Sequence, residues 1–352
     1  MTATAPVSAL DDLNDDAFQD YLLQGVSRTF ALTIPRLPKG LSRAVANAYL
    51  LCRIVDTIED EIGLSLEEKR KFCHDFAEAV RGRSPTETLR DQLAPLLSRA
   101  TLPAEHELIA VLPRVITITH GLDAKQQDAL ALCVEIMAEG MAKFQGLDLK
   151  KGLPTLKDHE QYCYVVAGVV GEMLTRLFCH YSSKIREHED EMMHLAVSFG
   201  QGLQMTNILK DLWDDHERGV CWLPQDVFDR NGGFKLETLE PGHEDAHFKA
   251  GFSELIGIAH GHLLNALRYT LLIPANEKGL REFCLWALGM AILTLRKISE
   301  HPDFEKSSEV KITRRAVKLT IITSRLFRTS DRGLRAAFAR AGRGVPLIEQ
   351  AV

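Results

Sequence analysis

The sequence has no CxxC pair, no basic stripe and no strict alternation of apolar and polar residues, and each absence removes a class of protein. Seven cysteines (Cys52, Cys73, Cys133, Cys163, Cys179, Cys221 and Cys284) are scattered and odd in number. Such a set makes neither a disulfide framework nor a zinc ribbon, and it suits a reducing compartment. With 42 Lys+Arg against 48 Asp+Glu and a formal charge of −6, the chain does not read as a nucleic-acid binder. Residues 1–16 lack the basic start and apolar core of a signal peptide. The longest apolar run, 283–295, is too short to span a bilayer. The expectation is therefore a cytoplasmic protein with no membrane-spanning segment, for which attachment to a membrane surface stays open. Fixed-period repeats, low-complexity tracts and long linkers are missing as well, so residues 1–352 are read as one domain.

What the sequence does have is helical periodicity almost throughout, which makes the fold class all-α. Helices are expected at 14–24, 44–63, 65–81, 86–99, 104–117, 124–145, 156–181, 192–216, 245–272, 277–299 and 312–341. Ser65 with Glu68 three residues on is a capping box. Ala167, Gly168 and Gly171 are small enough to let another helix approach closely.

Two stretches stand out against this background. In 49–61, Arg53, Asp56, Glu59, Asp60 and Glu61 interrupt an otherwise apolar helix. Asp56 and Asp60 are four apart and Glu59 is three from Asp56, so the carboxylates share a face. Like charges so placed repel unless a cation lies between them. In 204–215, Gln204, Asn207, Asp211 and Asp215 are spaced three, four and four apart, with Lys210 and Asp214 beside them. One such stripe would be an ordinary solvated face or an ion-pair network. Two, each flanked by apolar residues, indicate a pair of buried carboxylate rows able to face each other across a cavity. Carboxylates without clustered His or Cys favour Mg²⁺, which is usually held by one or two carboxylates plus substrate phosphates. The pattern therefore implies a diphosphate ligand.

These motifs resemble those of the squalene/phytoene synthase family. Asp56-Thr57-Ile58-Glu59-Asp60 and Asp211-Leu212-Trp213-Asp214-Asp215 match its paired acidic motifs, and Ser27-Arg28-Thr29-Phe30 resembles its Ser-Arg-x-Phe segment. The segment 162–168, continuing to 175–178, and Phe283-Cys284 with Val310-Lys311-Ile312 resemble the squalene-forming branch. The similarity covers about 20–325 and leaves 326–352 as a tail without a membrane anchor.

The resemblance implies one isoprenoid-synthase helical bundle around a central cavity. It also implies a head-to-head joining of two farnesyl diphosphates through presqualene diphosphate, followed by reduction with NADPH to squalene. On it, Asp56, Asp60, Asp211 and Asp215 would hold Mg²⁺ and act in catalysis. Glu59 and Asp214 would lie close behind, Glu59 within reach of the metal. Ser27, Arg28, Phe30, Tyr49, Arg53, Gln204, Asn207, Lys210 and Phe283 would bind substrate, with the basic side chains on diphosphate oxygens. Tyr162 would handle a proton, and Lys311 and Arg314 would contact NADPH.

The farnesyl chains need a dry apolar wall, for which Phe30, Val166, Ala167, Leu174, Met205 and Phe283 are candidates. A hydrocarbon product implies peripheral membrane contact for its release, and no obligate protein partner is implied.

The chain departs from the family pattern at Val220, where an arginine is usual, so that residue's phosphate contact is either absent or supplied by Arg218. Thr313 stands where animal enzymes carry a basic residue. Three rival readings remain. Residues 243–247 fit HExxH, though Pro241-Gly242 directly before them do not suit a zinc-protease helix. An all-α scaffold with structural ion pairs is the second. The third is a sister enzyme that stops at presqualene diphosphate, dehydrosqualene or phytoene, which the acidic motifs cannot separate from the reductive one.

Overall fold

Proline, glycine and side-chain caps set where the helices begin and end. The computed structural model describes residues 10–27, 29–144, 146–242 and 245–351. The described chain is helical, with no β-strand among these residues and one isolated bridge between Leu153 and Pro224. It forms two compact units, one made from the chain up to Gly146 plus Met173–Arg186, the other from Leu147–Glu172 plus the chain from Glu187 onward.

The first unit contains α1 (Asp15–Val26), α2 (Lys39–Asp60), α3 (Leu66–Val80), α4 (Thr86–Leu93), α5 (Pro103–Ala110), α6 (Leu112–His120) and α7 (Ala124–Met141). Helix α2 starts directly after Pro38, earlier than the expected 44, and ends where Glu61 turns extended. The capping box is present: the Ser65 hydroxyl accepts from the Glu68 N–H at 3.3 Å, and Glu68 accepts from the Ser65 N–H at 2.8 Å. The single helix expected over 104–117 is two, because Pro113 has no N–H to continue the ladder and the chain restarts at Leu112. Pro95 likewise ends α4 early, in a 3-10 turn at Ala94–Leu96. Phe18, Leu50, Leu51, Ile54 and Phe76 are fully buried. A polar thread crosses this core, with Gln19 donating to Asn47 at 3.0 Å and Asn47 donating to Thr119 at 2.6 Å. Each buried amide thereby finds a partner.

The second unit contains α8 (Leu156–Cys163), a π-helical turn (Tyr164–Gly168), α9 (Val169–Tyr181), α10 (Glu189–Lys210), α11 (Leu212–Glu217), α12 (Gln225–Arg230), α13 (Ala246–Leu272), α14 (Lys278–Glu300), α15 (Arg314–Phe327) and α16 (Asp331–Ala341). Only the first turn of α9 belongs to this unit. The helix expected over 192–216 breaks at Asp211, and that expected over 312–341 is divided between α15 and α16. By length and composition the run Leu156–Tyr181 could cross a membrane, but 56% of its most apolar window is buried inside the protein. Its π turn and the close contacts described next are those of a core helix.

The small residues of 167–171 do admit a neighbour. A Cβ on Gly200 would lie 2.2 Å from the Ala167 carbonyl oxygen, and one on Gly171 would lie 2.3 Å from that of Ala196. These are backbone-to-backbone contacts, which a side chain cannot relieve by rotating. Gly200→Ala is therefore expected to destabilise the protein by about 3 kcal/mol, the upper range for overpacking. Thermal unfolding checks this, and a wild-type melting temperature would contradict it.

Candidate active site

The acidic face of α2 is built around Arg53. Its guanidinium lies 3.8 Å from Asp56 and 3.9 Å from Glu105 and donates to the Tyr49 hydroxyl at 3.1 Å. Tyr49 in turn donates to the Val26 carbonyl at 3.2 Å and meets the Phe30 ring at 5.3 Å. The Ser27 hydroxyl accepts from the Phe30 N–H at 3.0 Å and folds that segment back. Ser27, Phe30, Tyr49, Arg53 and Asp56 are thus brought together; Arg28 lies outside the described residues. Burial disfavours the Arg53 charge, but Asp56, Tyr49 and Glu105 together hold it protonated. Its buried Nε has no hydrogen-bond partner among the described residues, an orphan donor beside a row of acids.

The carboxylates are recessed rather than sealed. Asp56 keeps 29% of its side-chain surface, Glu59 is half-buried and Asp60 is exposed. Only part of the row is buried, where the sequence pattern indicates a fully buried one. Asp56 is nevertheless pushed up to about 6, chiefly by burial; Arg53 opposes the rise while Asp60 and Glu105 add to it. Glu59 is also raised, by burial and then by adjacent Asp60. Glu61 behaves oppositely. It is buried, accepts from the Gly63 and Ser98 N–H groups at 2.7 and 2.9 Å and from Thr101, and is lowered to about 2 because these bonds outweigh its desolvation. Glu61 is a structural anchor that fastens the end of α2. Glu105, absent from the sequence expectations, joins the cluster with 18% of its side chain exposed. Its only sequence signal is that of an N3 capping residue on α5.

The second acidic segment bends where a straight stripe was expected. Asp211 leaves helical geometry at φ −95°, ψ 12°, which ends α10 and starts α11. The i+4 ladder survives the bend, with the Asp211 N–H donating to the Asn207 carbonyl at 2.8 Å and the Asp215 N–H to the Asp211 carbonyl at 2.9 Å. Asn207, Asp211 and Asp215 therefore stay in register. Lys210 reaches Asp211 at 3.0 Å and Asn207 at 3.3 Å. Gln204 is half-buried, whereas Asn207 and Asp214 are exposed. Asp215 keeps only 10% of its side-chain surface and is pushed up to about 6 by burial, against the pull of Arg218. Arg218 pairs with Asp215 from three residues on. Trp213 donates its indole N–H to the Phe304 carbonyl, tying this turn to the chain that leads into Lys311. Lys311 and Arg314 are exposed, and Phe283 is buried in α14.

Tyr162 is buried and stacks on Trp222, with ring centroids 3.7 Å apart and planes 8° from parallel. His159 fixes the Trp222 backbone, its Nδ1 2.8 Å from the Trp222 carbonyl oxygen. Gly152, at φ +76°, lets the loop segment carrying Trp222 approach, since a Cβ there would lie 2.5 Å from the Leu223 oxygen. Trp222 had no role on sequence grounds. Of the HExxH stretch, His243 and Glu244 lie outside the described residues, and the His247 ring packs against Gly232. Among the described residues no three His, Cys, Asp or Glu side chains converge as a ready metal cage.

The described chain is all-α and carries two acidic helical segments beside basic side chains, with Asp56 and Glu59 raised in the first and Asp215 in the second. The family model for squalene/phytoene synthases matches residues 23–316, and the chain belongs to that family. Curated relatives include a squalene synthase of Eremothecium gossypii, 30% identical over 318 residues, covering 87% of this chain and 67% of that protein. Another is squalene synthase ERG9 of Gibberella zeae, 29% identical, covering 82% of this chain and 59% of that one. Squalene synthase BSS of Botryococcus braunii is 29% identical, covering 80% and 58%. The chain thus spans well under two thirds of the last two. Among solved structures, TcSQS in complex with BPH1237 superposes with a TM-score of 0.71 at 22% identity, covering 94% of this chain and 98% of that one. A dehydrosqualene synthase complex superposes at 0.65 and 20% identity, covering 93% and 100%. At these identities the likeness establishes the fold.

Asp56 yields a pH test. Its folded pKa, about 6, lies above the ordinary 3.8, so ionising it costs folding stability. The cost is full above about pH 6 and vanishes below 3.8. Asp56→Asn should therefore be more stable than the parent at pH 7 without divalent cations, by on the order of 1 kcal/mol after allowing for solvent screening. The difference should shrink towards pH 4. Chemical unfolding at both pH values checks it, and an asparagine variant less stable at pH 7 would contradict it.

Proposed function

We propose that the protein is a squalene synthase that condenses two farnesyl diphosphates head to head through presqualene diphosphate and reduces the product with NADPH. What supports the reading most is the family match over 23–316, within which each acidic segment carries an aspartate raised to about 6. Carboxylates held above their ordinary pKa are stabilised by a cation, and hard oxygen donors without His or Cys suit Mg²⁺. The orphan Nε of Arg53 suits an anionic oxygen in the same way. The donor set thus fits Mg²⁺ shared with diphosphate rather than a caged metal. Asp56, Asp60 and Glu59 would hold it for one diphosphate, and Asp211 and Asp215 for the other. Bound there, Mg²⁺ neutralises diphosphate charge and makes it a better leaving group.

In this reading Arg28, Arg53 and Lys210 bind diphosphate oxygens through charge-assisted bonds. Gln204 and Asn207 orient the second diphosphate, and Ser27 and Tyr49 hold the first in register. Phe30 and Phe283 line the farnesyl chains and exclude water from the allylic cation. Tyr162, its ring fixed by Trp222, would relay the proton released after ionisation, passing on its own hydroxyl proton as its oxygen accepts one. The exposed Lys311 and Arg314 suit the phosphates of NADPH, which when bound supplies hydride. The whole-chain reading is one domain in the cytoplasm that meets a membrane surface to release its hydrocarbon.

Product analysis with farnesyl diphosphate and Mg²⁺, with and without NADPH, tests the reading. Squalene should form only with NADPH, and Asp56→Asn and Asp211→Asn should each lower turnover by about 10³-fold or more while the fold is kept. The same non-reduced hydrocarbon in both reactions would assign the sister reaction instead. Near-normal activity in either variant would remove that aspartate from the site.

A further inference from the structure

Helix α15 is amphipathic the wrong way round for a core helix. It buries Thr320 and Ser324 and exposes Leu319, Ile322 and Leu326 at 62%, 62% and 69%. These three, spaced three and four apart, make one stripe about 10 Å long. The orientation is fixed. A Cβ on Gly289 of α14 would lie 2.5 Å from the Thr320 methyl, so the two helices touch closely on the polar side. Near the other end Arg325 lies over the Trp286 ring at 5.6 Å and 3.7 Å from Glu282, which also pairs with Arg328. The apolar stripe is thus held outward by the fold.

Its surroundings specify the partner. Lys318 and Arg315 are exposed along the stripe, and between 310 and 330 there are six basic residues and no carboxylate. Extending to 345 gives ten basic residues against Asp331 alone, in a chain whose total charge is −6. An outward apolar stripe edged by cations, on an otherwise acidic protein, matches a surface with negative headgroups above a hydrocarbon interior. Long Lys and Arg stems reach headgroup phosphates while leucine and isoleucine side chains enter below them.

We propose that the α15 face, through Leu319, Ile322 and Leu326 with Lys318, docks the protein on an anionic lipid bilayer. The face deepens the membrane contact in the proposed function by giving it a location, and the docking itself is independent of the reaction. A dinucleotide does not suit the stripe, which carries three aliphatic side chains over two turns; the NADPH reading concerns Lys311 and Arg314 at the helix start.

Sedimentation of the full chain with vesicles tests it, using pure phosphatidylcholine against phosphatidylcholine with about one third phosphatidylglycerol, at low and high salt. The protein should pellet with the anionic vesicles, less so at high salt, and remain in solution with the neutral ones. The triple variant Leu319→Ser, Ile322→Ser, Leu326→Ser, whose changes are all on the surface, should keep its melting temperature and lose binding at least ten-fold. Lys318→Glu should weaken binding several-fold at low salt and much less at high salt. Three results would overturn the proposal: parent protein left in the supernatant, triple-variant binding equal to the parent's, or a parent dimer by light scattering that the triple variant makes monomeric. The readout uses no substrate, so an inactive enzyme would not count against docking, nor absent docking against the reaction.

Discussion

Carboxylates held close together in partly desolvated surroundings are the constraint on which the rest of this structure depends. Asp56 and Asp215, each at about 6, carry charge that their surroundings disfavour, and Glu59 is raised beside them. Each pKa unit corresponds to about 1.4 kcal/mol of differential interaction, a large share of a marginal folding stability. Nearby cations offset only part of this. Arg53 is divided between Asp56 and Glu105, and Arg218 pairs with Asp215 from an exposed position. A fold selected for stability alone would place neutral residues here. Under the proposed function this cost is offset when a cation and anionic oxygens bind together.

The remainder of each unit reads as support for that strain. Glu61 is one residue beyond the acidic row yet does the opposite job, its charge fully satisfied by hydrogen bonds that pin the end of α2. In the second unit, Gly200 and Gly171 bring the backbones of α10, the π turn and α9 into contact. The bend at Asp211 re-aims the helix while keeping Asn207, Asp211 and Asp215 in register. The Tyr162–Trp222 stack, with the Trp222 backbone held by His159 and approached by the glycine at 152, fixes an aromatic pair within the same unit.

Much of this was legible in the sequence, for reasons that particular residues make clear. Spacing at three and four marked Asp56 with Asp60 and Asp211 with Asp215, because charge on an apolar helix is conspicuous. Ser65 with Glu68, and the small residues at 167–171, were equally readable, since capping and close approach are local requirements. What escaped was non-local or left the ladder intact. Glu105 reaches Arg53 from fifty-two residues away, and its sequence context shows only a helix start. The stacking of Trp222 on Tyr162 depends on a chain approach that no periodicity records. The bend at Asp211 keeps its i+4 bonds and so leaves no trace in the pattern. On α15 the apolar stripe is visible in the sequence, but its outward direction follows only from the Thr320–Gly289 contact.

The central claim is that both acidic segments are poised for a cation shared with an anionic ligand. The most direct measurement is the melting temperature at pH 8 with Mg²⁺ alone, inorganic diphosphate alone and both together. Ligands that bind only the folded state raise it by mass action. The account predicts that the pair raises it by more than the sum of the separate effects, and that the gain disappears when Asp56 and Asp211 are both asparagine. A melting temperature unmoved by the pair, or an equal rise in the double variant, would contradict it.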